Sequence, residues 1–340
     1  MRGSRNFLTR FHTVQAIPFP ERIASLPKAE LHLHLEGSIR PVVASALAAR
    51  HGVTLAEEEV RRRYAYTNFA GFLDAFKWVT SFVRGPADFA LIAADLAEQL
   101  LEQKVVYAEL TLSVGVMFLR QQQPEANFAA ILEATEPFER RGLRLNWIFD
   151  AVRQFGAEAA MRVVEVARGC NSRRIVAFGI GGDELSVPTA EFRKVYERAA
   201  DYGFHKLMHA GEIGGPEMIR EAIEILSVER IGHGIAAIRD AALMEMLAER
   251  KIPLEICPAS NLRTGALEVQ LGKSSATMEE HPLAEILRRG VAVTIATDDP
   301  AMFHTSLEEE YRNAWRIGLT EEEILGVVEN GFRCAFGKVG

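Results

Sequence analysis

Residues 29–37 read Ala29-Glu30-Leu31-His32-Leu33-His34-Leu35-Glu36-Gly37, a short run rich in leucine that ends on a glycine. Side chains two apart on a strand point to one side, so His32 and His34 can converge on one metal ion. His-x-His also arises by chance, and a single histidine is more often a satisfied polar group than a ligand. What raises the pair above chance is its place at the carboxyl end of a strand, followed by Glu-Gly-Ser. Barrel active sites sit on that face, and other strand ends should then supply partners.

Outward from this run, short β-rich segments alternate with longer ones of helical period, the pattern of parallel strands joined by crossover helices. Eight runs qualify as strands: 29–35, 105–112, 145–151, 175–180, 204–209, 230–233, 253–257 and 291–297. Between them, 158–168, 190–202, 216–226, 238–250 and 282–288 repeat apolar residues at threes and fours. The expected fold class is α/β, a single (β/α)8 TIM barrel over residues 1–340, with 1–26 as an N-terminal extension. An open doubly wound sheet shares the alternation, so the polar residues must arbitrate. Roughly seventy residues part the first run from the second, far more than one crossover helix needs. Residues 36–104 are therefore expected to form a helical insertion over the barrel mouth. Within it Phe72 and Phe76 stand four apart on one helical face, where Phe72 can wall a substrate pocket; Trp78 is expected to pack the added helices onto the barrel.

With 48% apolar and 25% charged residues the chain can build a sizeable core. Its 39 basic and 46 acidic residues leave a formal charge of −7, which offers no broad attraction to nucleic acid or an anionic membrane, and points to small molecules as partners. Cys170, Cys257 and Cys334 have no CxxC spacing, so neither a disulfide framework nor a thiolate zinc site is expected, and a reducing cytoplasm fits. The start carries Arg2, Arg5 and Arg10 without an apolar h-region, and no run approaches membrane-spanning length.

Three more strand ends carry polar motifs: His209-Ala210-Gly211-Glu212, Gly232-His233-Gly234 and Thr297-Asp298-Asp299-Pro300. Any one of them alone can cap a helix or bind a loop backbone. Together with His32 and His34 they aim at one mouth, and imidazoles with a carboxylate suit zinc, which accepts nitrogen and oxygen and can leave a position for water. Other signals fall away. Gly179-Ile180-Gly181-Gly182 lacks dinucleotide spacing, and Gly272-Lys273-Ser274 has Leu267 where a P-loop requires glycine. The His-x-Glu with Pro-Cys-x-x-Cys pattern of nucleic-acid-editing deaminases is absent. His205 lies four residues deeper than His209, so a hydrogen-bonding role in the core is expected; His304 is placed near the mouth by a capping box at 305–308; His12, His51 and His281 have no comparable context.

In this order, from about Pro27 to Phe303, the four motifs resemble the adenosine deaminase family of the metal-dependent amidohydrolase superfamily. The resemblance implies one zinc ion per chain, held by His32, His34, His209 and Asp298. It implies Glu212 as the proton donor to purine N1, and His233 as the residue that positions and deprotonates the attacking water. Asp299 would hold N7, Gly182 would meet N3 through its backbone, and Glu36 would contact the ribose. The chemistry agrees: hydroxide attack at C6 drives negative charge into the ring, and an acid at N1 relieves it. Glu212 must then arrive protonated, which an enclosed pocket favours. If His233 were a further ligand, the site would be closed and structural.

Gly182-Asp183-Glu184 and residues 260–265 resemble adenosine-type enzymes more than free-adenine deaminases, so the implied reaction is hydrolysis of the 6-amino group of an adenine nucleoside, releasing ammonia. Residues 107–113 depart from the adenosine pattern, with Thr111 where arginine is usual. Residues 147–155 resemble the branch acting on 6-aminodeoxyfutalosine in menaquinone biosynthesis, an adenine nucleoside extended at its 5′ side by an aromatic carboxylate. Arg153 or Arg263 could pair with that carboxylate. The rival of a different class is a non-catalytic adenosine-binding protein, which the retained ligand set and Glu212 argue against.

Overall fold

Eight parallel strands follow one another around a ring in chain order: β1 (Lys28–His34), β2 (Val105–Leu112), β3 (Arg144–Val152), β4 (Ile175–Gly181), β5 (His205–Ala210), β6 (Arg230–His233), β7 (Leu254–Ile256) and β8 (Val293–Ile295). The structure, a computed structural model, describes residues 19–338. Asp298, just past β8, closes the ring: its carbonyl accepts the His34 N–H at 2.8 Å and its N–H donates to the His32 carbonyl at 3.0 Å. An open doubly wound sheet would leave two edges, and here the first and last strands are neighbours. The fold is the expected (β/α)8 barrel. All eight expected runs are strands, but those at 253–257 and 291–297 shorten to three residues each. At β7 the cause is Pro258, which has no N–H for the ladder and opens the helix Pro258–Arg263.

Between β1 and β2 lie the helices Pro41–Arg50, Glu57–Arg63, Phe69–Thr80 and Pro86–Glu102. Proline at the first helical position starts two of them, where a missing N–H costs nothing. Asn68 caps the third, its side-chain oxygen accepting the Gly71 N–H at 2.9 Å. That third helix lays Phe72 against Phe303, ring centroids 5.0 Å apart. Trp78 packs edge-on to Phe82 beneath the Arg63 guanidinium and does not line the pocket. Of the 1–26 extension, residues 1–18, with Arg2, Arg5, Arg10 and His12, lie outside the described residues, and Glu21–Ser25 is a short helix. Among the described residues no helix is long and apolar enough to cross a membrane.

At the opposite end, the buried Arg230 bridges Glu109 at 2.7 Å and Glu255 at 2.6 Å, and lies 3.7 Å over the ring of Phe336. His205 belongs to this end. It pairs with Glu229 at 2.8 Å and stacks on Phe336, but its side chain is 43% exposed. The expected core role is corrected: four residues back along β5 places it on the floor of the barrel, where the strand meets solvent. The helix Leu307–Ile317 is capped by Ser306, which accepts the Glu309 N–H, so the cap stands one residue later than the 305–308 pattern suggests.

Candidate active site at the carboxyl ends of the strands

His32 and His34 end β1, His209 lies near the end of β5, His233 ends β6 and Asp298 follows β8. Parallel strands in a barrel aim their carboxyl ends at one face, so these distant residues meet. His34 Nε2 stands 3.3 Å from His209 Nε2 and 3.4 Å from Asp298 Oδ1, and His32 Nε2 is 3.4 Å from the same oxygen. Two ligand atoms about 2.0–2.1 Å from one zinc ion at tetrahedral angles lie about 3.4 Å apart. The spacing fits a shared ion. His32 Nε2 is buried with no hydrogen-bond partner, which leaves it for such an ion.

The foursome whose donor atoms all lie within 4.8 Å of one another is His32, His209, His233 and Asp298, which has His233 in place of the expected His34. The closer distances separate the two. His233 Nε2 is 3.9 Å from Asp298 Oδ2 and 3.7 Å from Glu212 Oε2, longer than the edges made by His34.

The surroundings orient these groups. Glu255 accepts from His32 Nδ1 at 2.9 Å, which turns His32 Nε2 toward the site, and the Ile180 carbonyl does the same for His209 Nδ1 at 3.2 Å. The Ser260 hydroxyl donates to Asp298 Oδ2 at 2.7 Å. Burial pulls His34 down to about 4 and, with neighbouring imidazoles, holds His209 well below the histidine range, so both keep free lone pairs. Burial also opposes a charge on His32, but Asp298 and Glu255 outweigh it and lift it to about 10. A dication answers that same demand for positive charge. Both His233 and Asp298 hold left-handed backbone, φ 60° and 63°, a strain of about 1–3 kcal/mol each that the strand-end contacts must maintain.

Glu212 lies on the loop after β5. Glu184 accepts the N–H groups of Glu212, Ile213 and Gly214, and Gln270 donates to the carbonyls of Glu212 and Gly214. Burial, with the charges of Asp298 and Glu184, pushes the Glu212 carboxyl up to about 8. Asp299 is raised well above the carboxylate range by burial and by Asp298, and its Oδ1 is buried without a partner. Gly37 makes room for it, because a Cβ there would sit 1.7 Å from Asp299 Oδ1.

One cavity is shared by His34, His209, His233, Asp298, Glu212, Asp299, Gly182 and Phe72. Glu36 is not on its wall. It sits behind Ser113, whose N–H it accepts at 3.2 Å, with Oε2 buried and unpaired. Neither Arg153 nor Arg263 reaches the cavity, which corrects the expected carboxylate partners. Arg153 is buried on the Val187 carbonyl and the Phe192 ring, and Arg263 lies over Tyr66. The cations that do line it are Lys77, exposed on the Phe69–Thr80 helix, and Arg120, which donates to Thr80 at 2.8 Å. His304 caps a helix and binds the Tyr64 carbonyl, off the wall. Sequence reasoning missed Lys77, Arg120, Glu255, Ser260 and the buried Asp150, which also lines the cavity. Only the fold joins them to the site, although Asp150 lies within 147–155 and Ser260 within 260–265.

The pattern of the adenosine deaminase family matches residues 27–339. The chain is 39% identical over 321 residues to an aminodeoxyfutalosine deaminase of Streptomyces coelicolor, covering 92% of this chain and 81% of that one. It is 32% identical over 331 residues to an adenine deaminase of Paraburkholderia xenovorans, covering 95% and 92%. A crystal structure of an amidohydrolase from Burkhoderia ambifaria with bound Zn shares the fold, with a TM-score of 0.86 at 24% identity over 96% of this chain and 91% of that one. By family, fold and donor set together, this chain belongs to the adenosine deaminase family of metal-dependent hydrolases acting on C–N bonds.

Proposed function

We propose that the chain is a zinc-dependent aminohydrolase that converts the 6-amino group of an adenine nucleoside to 6-oxo, and that the nucleoside carries an acidic aromatic extension on its 5′ side, as 6-aminodeoxyfutalosine does. One observation carries the substrate choice. The cavity that holds the metal group is also lined by Phe76, Leu119 and Phe155 and by the cations Lys77 and Arg120. A free base leaves that part of the lining unused, whereas an aromatic carboxylate covers it and meets a cation. The relative named for aminodeoxyfutalosine is also more similar than the one named for adenine.

His32, His34, His209 and Asp298 hold a single zinc ion. When bound, zinc acts as a Lewis acid that makes hydroxide available near neutral pH. Glu212, protonated through its raised pKa, donates to N1 as the oxygen of water bonds to C6. The C6–N bond then breaks: of the water's two protons one leaves with the amino group as ammonia and the other restores the Glu212 carboxyl, and the purine keeps oxygen at C6 and a proton at N1. His233 faces the attacking water. Asp299, also protonated, donates to N7, an acceptor that a carboxylate would repel. Gly182, at φ 97°, turns its backbone toward N3, where a side chain would run into Gln154. Glu36, off the cavity wall and bound to the Ser113 N–H, is assigned no ribose contact. Phe72 supplies apolar wall.

The test is kcat/KM for 6-aminodeoxyfutalosine, adenosine and adenine, followed by the absorbance change at loss of the amino group. The extended nucleoside should lead by at least about tenfold, the value of one charge-assisted contact. Equal or better turnover of free adenine would remove the nucleoside reading and favour the adenine deaminase relatives.

A further inference from the structure

A chain of buried hydrogen bonds ends on His233, and its direction is set at the far end by a group that can only donate. The Leu283 backbone N–H donates to His281 Nδ1 at 3.1 Å, so that nitrogen carries the lone pair and the His281 proton sits on Nε2. His281 Nε2 is 3.2 Å from Asn261 Oδ1, which accepts. The amide is thereby turned, and its Nδ2 lies 3.1 Å from His233 Nδ1. The reversed chain fails: it would need a proton on His281 Nδ1, facing the Leu283 N–H. His281 is 3% exposed and burial holds it down to about 3, so a doubly protonated ring that ignores this direction is excluded as well. Neither His281 nor Asn261 lines the cavity.

We propose that His281 and Asn261 are positioning residues that hold His233 as the tautomer protonated at Nε2, so that His233 meets the attacking water as a hydrogen-bond donor and not as a proton acceptor. The His233 Nε2–H then lies 3.7 Å from Glu212 Oε2 and 3.9 Å from Asp298 Oδ2, on the wall of the cavity. Its role toward water rests on the deaminase reading, whereas the tautomer rests on the hydrogen-bond chain alone. A donor fixed before reaction gains strength as charge develops on the oxygen it faces.

Long-range 1H–15N correlation on the zinc-loaded full chain labelled with 15N-histidine reads the tautomer directly, with His233 identified by the signals lost in His233→Gln. An unprotonated Nδ1 and a protonated Nε2 are expected; a proton on Nδ1 overturns the proposal without any variant. Asn261→Asp then reverses the last link, since a carboxylate accepts from both rings and draws the His233 proton to Nδ1. In that variant kcat should fall by about 10²–10³-fold, as for loss of one fixed transition-state donor, with KM changed by less than about threefold and zinc retained. A switched tautomer with kcat within about threefold of wild type overturns the donor role. Should Asn261→Asp fail to fold, His281→Phe removes the direction-setting ring and should give mixed His233 tautomers, while His281→Gln, which still donates to Asn261, restores the single one. Unmixed Nε2–H in His281→Phe would free His233 from this chain and overturn the assignment. If the wild-type chain deaminates no aminopurine, the functional reading fails, and the labelled spectrum still decides the tautomer.

Discussion

The backbone N–H of His34 donates to the Asp298 carbonyl at 2.8 Å, and the two side chains face each other at 3.4 Å from Nε2 to Oδ1. The bond that closes the barrel and the pair that would clasp a metal ion are therefore made by the same two residues. Any shift of β8 against β1 opens both, which ties the integrity of the fold to the geometry of the site.

That geometry separates two ligand sets, one with His34 and one with His233. His34→Ala should lower zinc content below about half an ion per chain, because three donors are left where four are needed. His233→Gln should retain zinc and lose turnover by about 10²-fold or more. Zinc measured by emission spectroscopy after gel filtration checks both, and the opposite pattern would exchange the roles.

In the proposed reaction Glu212 sets the alkaline limit. Its carboxyl is held up to about 8 by burial and by the charges of Asp298 and Glu184, and the protonated form is the one that donates. Below that value the acid is present; as pH rises through it the acid is lost, so kcat/KM should fall above about 8. Glu212→Gln should remove this limb and lower kcat by about 10²–10⁴-fold with zinc retained. An unchanged alkaline limb in the variant would assign it to another group.

Much of this was readable before the structure. The eight strands were, because a parallel barrel requires recurring apolar runs, and so was the meeting of His34, His209, His233 and Asp298 at one mouth, because strand ends in a barrel share one face. The outer pocket was not. Lys77 comes from a helix after β1 and Arg120 from the turn that ends a helix after β2, and neither belongs to a short motif. Arg153 misled for a related reason: it follows β3 directly, yet its side chain turns to the Val187 carbonyl, and residue spacing carries no rotamer. His281 stands alone in sequence, and only the fold places it behind Asn261 and His233.

If Lys77 and Arg120 read an acidic extension, Lys77→Met and Arg120→Met should each raise KM for 6-aminodeoxyfutalosine by about 10–100-fold, the worth of a hydrogen bond to a charged group. Adenosine kinetics should change by less than about threefold in the same variants. Equal losses on both substrates would mean that these cations support the helix and do not select the substrate.

Gly37→Ala places a methyl group on the Asp299 carboxyl. Overpacking of this kind costs about 1–3 kcal/mol, and urea unfolding of the zinc-loaded chain should show it. Turnover should fall further than stability, since Asp299 is displaced from the base. Wild-type kcat and stability together would show that the loop moves aside freely.

The most direct test of the central claim is ammonia release by the chain stripped of metal and then reloaded with zinc, with 6-aminodeoxyfutalosine as substrate. One ammonia for each 6-oxo product is expected, absent from the stripped chain and restored at about one zinc ion per chain. Full turnover without metal, or no ammonia from the fully loaded chain with any aminopurine nucleoside, would contradict it.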